Sequence, residues 1–115
     1  MRLLIVDDYP GIHHVITSIV SDLADEIFDC TDGLNALDAY LTHRPDFVLM
    51  DFAMAGVDGI TATRLIKQAD PAARIIIVTN YDGADLREAA RIAGACGYVL
   101  KENLFEVRHL LQAEV

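Results

Sequence analysis

Short apolar runs alternate along this chain with longer stretches of helical period, and that alternation restricts the fold more than any other feature. Leu3-Leu4-Ile5-Val6 opens the series. Pro10 then begins a stretch in which Ile12, Ile16, Ile19 and Leu23 recur at three- and four-residue steps, which predicts a helix with proline in its first turn. Glu26-Ile27-Phe28 is a weaker second run, followed by the turn signal Asp32-Gly33. Leu34, Leu37 and Leu41 predict the apolar face of a second helix, stopped before Pro45. Phe47-Val48-Leu49-Met50 is the third run. The Gly56-Val57-Asp58-Gly59 turn leads from it to a third helix, with Ile60, Leu65 and Ile66 on its apolar side and Pro71 at its end. Ile75-Ile76-Ile77-Val78 is wholly β-branched and is the clearest strand. A helix of modest amphipathicity from Ala84 to Ala93, a strand from Gly97 to Leu100 and a last helix carrying Leu104, Val107, Leu110 and Leu111 complete the pattern.

Strict alternation of β and α elements implies a parallel sheet with helices on both faces. Strands buried on both faces read as continuous apolar runs, and the first, third and fourth do. The expected fold is therefore α/β, a doubly wound five-stranded parallel sheet of flavodoxin-like (βα)5 type with strand order 2-1-3-4-5. At 115 residues the chain is long enough for one domain, spanning 1–115, and half of it would be too small to hold a core.

Four of the five strands end on a chemically capable residue: Val6-Asp7-Asp8, Met50-Asp51, Val78-Thr79-Asn80 and Leu100-Lys101. In a parallel sheet the C-terminal ends share one edge, and open α/β sheets bind ligands there, where the strand order reverses. With order 2-1-3-4-5 the reversal lies between strands 1 and 3, so Asp7, Asp8 and Asp51 should converge in one crevice. Thr79 would lie one strand further and Lys101 two, within plausible reach of a long side chain at about 4.8 Å per strand. Three carboxylates this close repel, and a hard divalent cation relieves the conflict. Mg²⁺ takes oxygen ligands and often bridges carboxylates to phosphate. With Lys101 as a fixed positive charge and the Thr79 hydroxyl as a donor, the set suits a transferring phosphoryl group attacked by a carboxylate oxygen.

On these residues the chain resembles the receiver domains of bacterial response regulators, the CheY-like fold. Val6-Asp7-Asp8, Met50-Asp51, Gly59, Val78-Thr79 and Tyr98-Val99-Leu100-Lys101 carry the likeness, which covers essentially the whole sequence. The resemblance implies that Asp51 accepts phosphate from a sensor histidine kinase or a phosphotransfer protein. It implies Mg²⁺ ligation by Asp8, Asp51 and the backbone carbonyl of Ala53, with Asp7 acting mainly through a metal-bound water. Lys101 would meet a phosphate oxygen, Thr79 would be the switch hydroxyl, and Tyr98 the aromatic that turns inward. The surface of the fourth helix, fifth strand and fifth helix would then change its affinity for a downstream effector or for an output domain elsewhere. Such a protein is a self-modifying switch with at most weak autophosphatase activity, not an enzyme, and is expected as a monomer or a phosphorylation-dependent homodimer.

Three positions depart from the family pattern. Ala55 follows Met54 where proline is common, Glu102 follows Lys101 where proline is common, and Asn80 follows Thr79 where a smaller residue is usual. The Lys-Glu pair is similar to receivers joined to helix-turn-helix output domains of the nitrate-regulator type. With Glu102 a trans bond is expected after Lys101, because a cis bond without proline costs roughly 3 kcal/mol.

Each of these residues also has a plainer explanation. Asp7 alone would read as a helix cap or solvated acid, Asp58 and Asp82 as turn residues, and Tyr98 as an ordinary strand aromatic. His13 and His14 point about 100° apart on a helix, which argues against a joint metal site and leaves one of them as a candidate for a surface or kinase-docking role. The net charge of −9 argues against direct nucleic-acid contact. No apolar run approaches the roughly 20 residues of a membrane span, and Cys30 and Cys96 have no metal-ligand spacing, so a cytoplasmic protein with reduced thiols is expected. A pseudo-receiver that signals without phosphate is the alternative, against which the intact set of acids, Thr79 and Lys101 speaks. A flavin- or nucleotide-binding module is disfavoured because Asp7-Asp8-Tyr9-Pro10 stands where a phosphate loop would be.

Overall fold

The computed structural model describes residues 1–113. Five strands, β1 (Arg2–Val6), β2 (Glu26–Cys30), β3 (Phe47–Met50), β4 (Ile75–Thr79) and β5 (Gly97–Leu100), form one parallel sheet in the order β2-β1-β3-β4-β5. The helices between and after them are α1 (Pro10–Val20), α2 (Ala36–His43), α3 (Gly59–Ala69), α4 (Ala84–Ala93) and α5 (Phe105–Ala113). A 3₁₀ turn, Lys101–Asn103, joins β5 to α5. Both the order and the connectivity are those the alternation predicts.

Period-two alternation divides the apolar residues of the sheet between two cores. Leu4, Val6, Val48, Met50, Ile75 and Ile77 point to one face, where they meet Tyr40, Ile66 and Ala90. Leu3, Ile5, Leu49, Ile76 and Val78 point to the other, against Ile16, Val20, Val107 and Leu111. Because β1, β3 and β4 are buried on both sides, nothing interrupts their apolar runs until the strand ends.

The helix faces depart from expectation in three places. Leu34 precedes α2 and is 75% exposed, and Leu41 is also exposed; the inward residues are Ala36 and Tyr40, one turn apart. Tyr40 can take a core position because its hydroxyl donates to Asp70 at 2.7 Å. Burial and that bond push the phenol up to about 12. On α3, Leu65 faces out, and Ile60, Ala62, Thr63 and Ile66 face in. On the first helix, α1 ends at Val20, so Leu23 lies in the following turn, from which it still packs on the α1/α5 core. Two small corrections add to these: β2 continues to Cys30, and Asp58 is the N-cap of α3, accepting from the Thr61 backbone N–H at 2.9 Å.

Candidate functional site

The register of β1 against β3 pairs Val6 with Met50, so the two strands deliver Asp7 and Asp51 side by side. The Asp51 N–H donates to the Val6 carbonyl at 2.8 Å and the Asp7 N–H to the Cys30 carbonyl at 3.0 Å, which extends the ladder through both acids. Asp7 and Asp51 are buried, and Asp8 is exposed at the mouth. One carboxylate oxygen from each of the three lies within 4.8 Å of the others.

Lys101 reaches back from the end of β5, as its chain length allows. Its Nζ sits 2.9 Å from Asp7 Oδ2 and 3.2 Å from Asp51 Oδ1. Burial works against the ammonium, but the Asp7 bond and the charges of Asp51 and Asp7 outweigh it and hold its pKa above the ordinary value. Asp51 shows the opposite balance. Burial first, then the Asp7 charge, push its carboxyl up, and Lys101 offsets this only in part.

Gly59 lets the loop after β3 close over this site. A Cβ there would stand 1.9 Å from the Asp51 carbonyl oxygen, so only glycine allows α3 to begin against that backbone. Ala53 is exposed in the same loop, two residues beyond Asp51.

Thr79 ends β4 fully buried, and its Oγ1 accepts from the Tyr81 N–H at 3.2 Å. Half-buried Tyr98 donates its hydroxyl to the Tyr81 carbonyl at 2.6 Å. The Arg87 guanidinium lies 4.5 Å from the Tyr98 ring centroid and bonds Asp82 at 2.8 Å. Asp82 is therefore the partner of a helical arginine as well as a loop residue. Neither cysteine is in a disulfide, and the Lys101–Glu102 bond is trans.

Every residue singled out at a strand end thus lies on one edge, and Asp7, Asp8, Asp51 and Lys101 are brought into one cluster. Sequence reasoning missed the role of His13. It is buried rather than on the surface, with Nε2 2.9 Å from the Asp7 carbonyl oxygen and Nδ1 2.5 Å from Asp29 Oδ1. The available signal was its spacing, three residues before Ile16 and seven before Val20 on the buried stripe of α1. His14 is exposed, as divergent directions on a helix require.

The sequence matches the model of the response regulator receiver domain over residues 3–113. The chain belongs to the response-regulator receiver family. This receiver is 35% identical to the chemotaxis protein CheY of Bacillus subtilis over 113 residues, covering 97% of this chain and 92% of that protein. Its fold superimposes with a TM-score of 0.90 on a LuxR-family two-component response regulator from Aurantimonas, 34% identical, covering 98% of this chain and 83% of that one. It also matches CheY of Borrelia burgdorferi, solved with CheX, beryllofluoride and Mg²⁺, with a TM-score of 0.91 and 28% identity over all of this chain and 90% of that one. The protein is thus a receiver of two-component signalling, with structural likeness to the LuxR-type branch that Lys101-Glu102 suggested. No helix among the described residues is long and apolar enough to cross a membrane.

Proposed function

We propose that this receiver takes a phosphoryl group onto Asp51 and uses it to shift the surface formed by α4, β5 and α5. The observation that carries the reading is the Lys101 ammonium seated between the buried carboxylates of Asp7 and Asp51, beside exposed Asp8. In the reaction an Asp51 carboxylate oxygen forms a bond to phosphorus while the donor's bond to phosphorus breaks, giving an acyl phosphate. Lys101 balances negative charge on the phosphoryl oxygens, and the Thr79 hydroxyl donates one hydrogen bond to them.

The donor set suits a hard cation. It is all oxygen, three carboxylates face one space, and ligand oxygens of an octahedral Mg²⁺ lie at most about 4.2 Å apart, close to the spacing here. Asp7, Asp8, Asp51 and the Ala53 carbonyl would hold Mg²⁺, with Asp7 reaching it mainly through water. The ion would supply charge neutralisation at the phosphoryl oxygens.

The signal would leave through the Thr79–Tyr81–Tyr98–Arg87 contacts, which end beside a groove of about 440 Å³ lined by Arg87, Tyr98, Glu102, Phe105 and His109. Phosphorylation would favour one arrangement of this chain by its differential contacts with Thr79 and Lys101. The phosphodonor would be a sensor histidine kinase or phosphotransfer protein met in the cytoplasm, and the reader of the groove a downstream effector or output domain. The protein would turn over nothing beyond slow loss of its own phosphate. NMR with beryllofluoride and Mg²⁺ tests this. Shifts at Asp51, Thr79, Tyr98 and α4 are expected, and a wild type without a response, as a phosphate-independent module would give, overturns it.

A further inference from the structure

Asp7 is held at every polar atom it has. Its N–H donates to the Cys30 carbonyl, its Oδ1 accepts from the Tyr9 N–H at 2.9 Å, and its Oδ2 takes Lys101. The remaining atom, its backbone carbonyl, is met by His13 Nε2 at 2.9 Å. A carbonyl can only accept, so Nε2 carries its proton and donates. The other ring nitrogen faces Asp29 Oδ1 at 2.5 Å, and because a carboxylate oxygen accepts, Nδ1 donates there as Nε2 does to the carbonyl, which fixes the orientation of the ring. Asp29 belongs to β2, the edge strand, so the imidazole ties the β1–α1 loop to a second strand of the sheet.

From this geometry we infer that His13 is a positioning residue for the metal-binding loop. It locks the Asp7 peptide, and with it the directions in which Asp7 and Asp8 present their carboxylates. The arrangement is that of an outer partner to a metal ligand: a carboxylate orients a histidine, and the histidine orients the residue that faces the ion. Loss of such partners typically costs 10–100-fold in metal affinity. The argument is local. The β1–α1 loop follows a rigid strand but carries its two acids on residues with no regular pairing beyond Asp7. Without the His13 bond the Asp7 carbonyl would lose its partner, and the peptide leading to Asp8 would be less tightly preorganised although every ligand remained. His14, one residue on, is exposed and supplies a control.

The inference rests on the metal reading of the acidic cluster, and the test separates the two. Full-length wild type, His13→Ala, His13→Gln and His14→Ala are titrated with MgCl₂ alone and followed by NMR, with melting temperatures and exchange of the Tyr9 amide measured in parallel. The expected result is Mg²⁺ binding about tenfold weaker in His13→Ala and faster Tyr9 exchange. His13→Gln, whose amide can still donate to the Asp7 carbonyl, should recover much of the affinity, and His14→Ala should match wild type. If wild type binds Mg²⁺ and His13→Ala binds it equally well, the role of His13 is overturned while the metal site stands. Equal weakening in His13→Ala and His13→Gln, in proportion to lost melting temperature, also overturns it by marking His13 as structural only. Should His13→Ala fail to fold, His13→Leu, which fills the space but cannot donate to the Asp7 carbonyl, takes its place with the same expected and overturning results. A wild type indifferent to Mg²⁺ overturns both readings.

Discussion

Asp51 carries its charge where burial and the Asp7 carboxylate oppose it, and its carboxyl is pushed above the ordinary value of 3.8. The folded protein therefore holds a proton at Asp51 more tightly than the unfolded chain does. Well below 3.8 both states are protonated and no penalty exists. As pH rises from there through the raised folded value, the folded state loses stability, and above that value the penalty is complete. Asp51→Asn removes the charge and keeps the shape. It is expected to raise the melting temperature at neutral pH by roughly 4 °C, the shift that about 1 kcal/mol produces in a domain of this size. The gain should fade as the melts are repeated toward acid. At this scale the sequence was legible wherever a polar residue closed an apolar run, as Asp7, Asp51, Thr79 and Lys101 do. His13 was not, because a histidine inside a helix carries no mark of which partner satisfies it, and both partners here come from other elements.

The elements differ in how openly they declare themselves. Central strands buried on both faces have only one way to read, so β1, β3 and β4 stood out as continuous apolar runs. Helix faces are less explicit. Leucines at 34, 41 and 65 look like core residues, yet Ala36, Tyr40 and Thr63 occupy the inward positions, two of them small and the third with its hydroxyl bonded to Asp70. The loops at the site obey tighter limits. Gly59→Ala would force its methyl group onto the Asp51 carbonyl, so a loss of about 1–3 kcal/mol is expected in chemical denaturation, with a displaced Asp51 and weakened Mg²⁺ binding. The loop after β4 sets a different quantity. Tyr81 meets Phe52 edge-on, with ring centroids 6.3 Å apart, so the loops following β3 and β4 touch beside Asp51. This pair, with Asn80, should screen an acyl phosphate from water. Tyr81→Ala is expected to lose phosphate severalfold faster than wild type in an autodephosphorylation assay, and an unchanged rate would remove Tyr81 from that role.

Across the whole molecule, one topological fact joins the fold to the chemistry. Strand order reverses between β1 and β3, which opens a crevice at the point where two buried strands both end in aspartate. The chain carries a net charge of −9, and this crevice concentrates acids with one ammonium between them. The order of the sheet and the cluster could be anticipated together, since strictly alternating elements leave few topologies and the strand ends must share an edge. The route from Thr79 through Tyr81 and Tyr98 to Arg87 could not, because it depends on a loop carbonyl and a ring face that no periodicity encodes. The central claim is that Asp51 is the phosphoryl acceptor, and intact-mass measurement after incubation with acetyl phosphate and Mg²⁺ tests it most directly. The account predicts a gain of one phosphoryl group in wild type, abolished by removing Mg²⁺ and absent in Asp51→Asn. The same gain persisting in Asp51→Asn, or no gain in folded wild type, would contradict it.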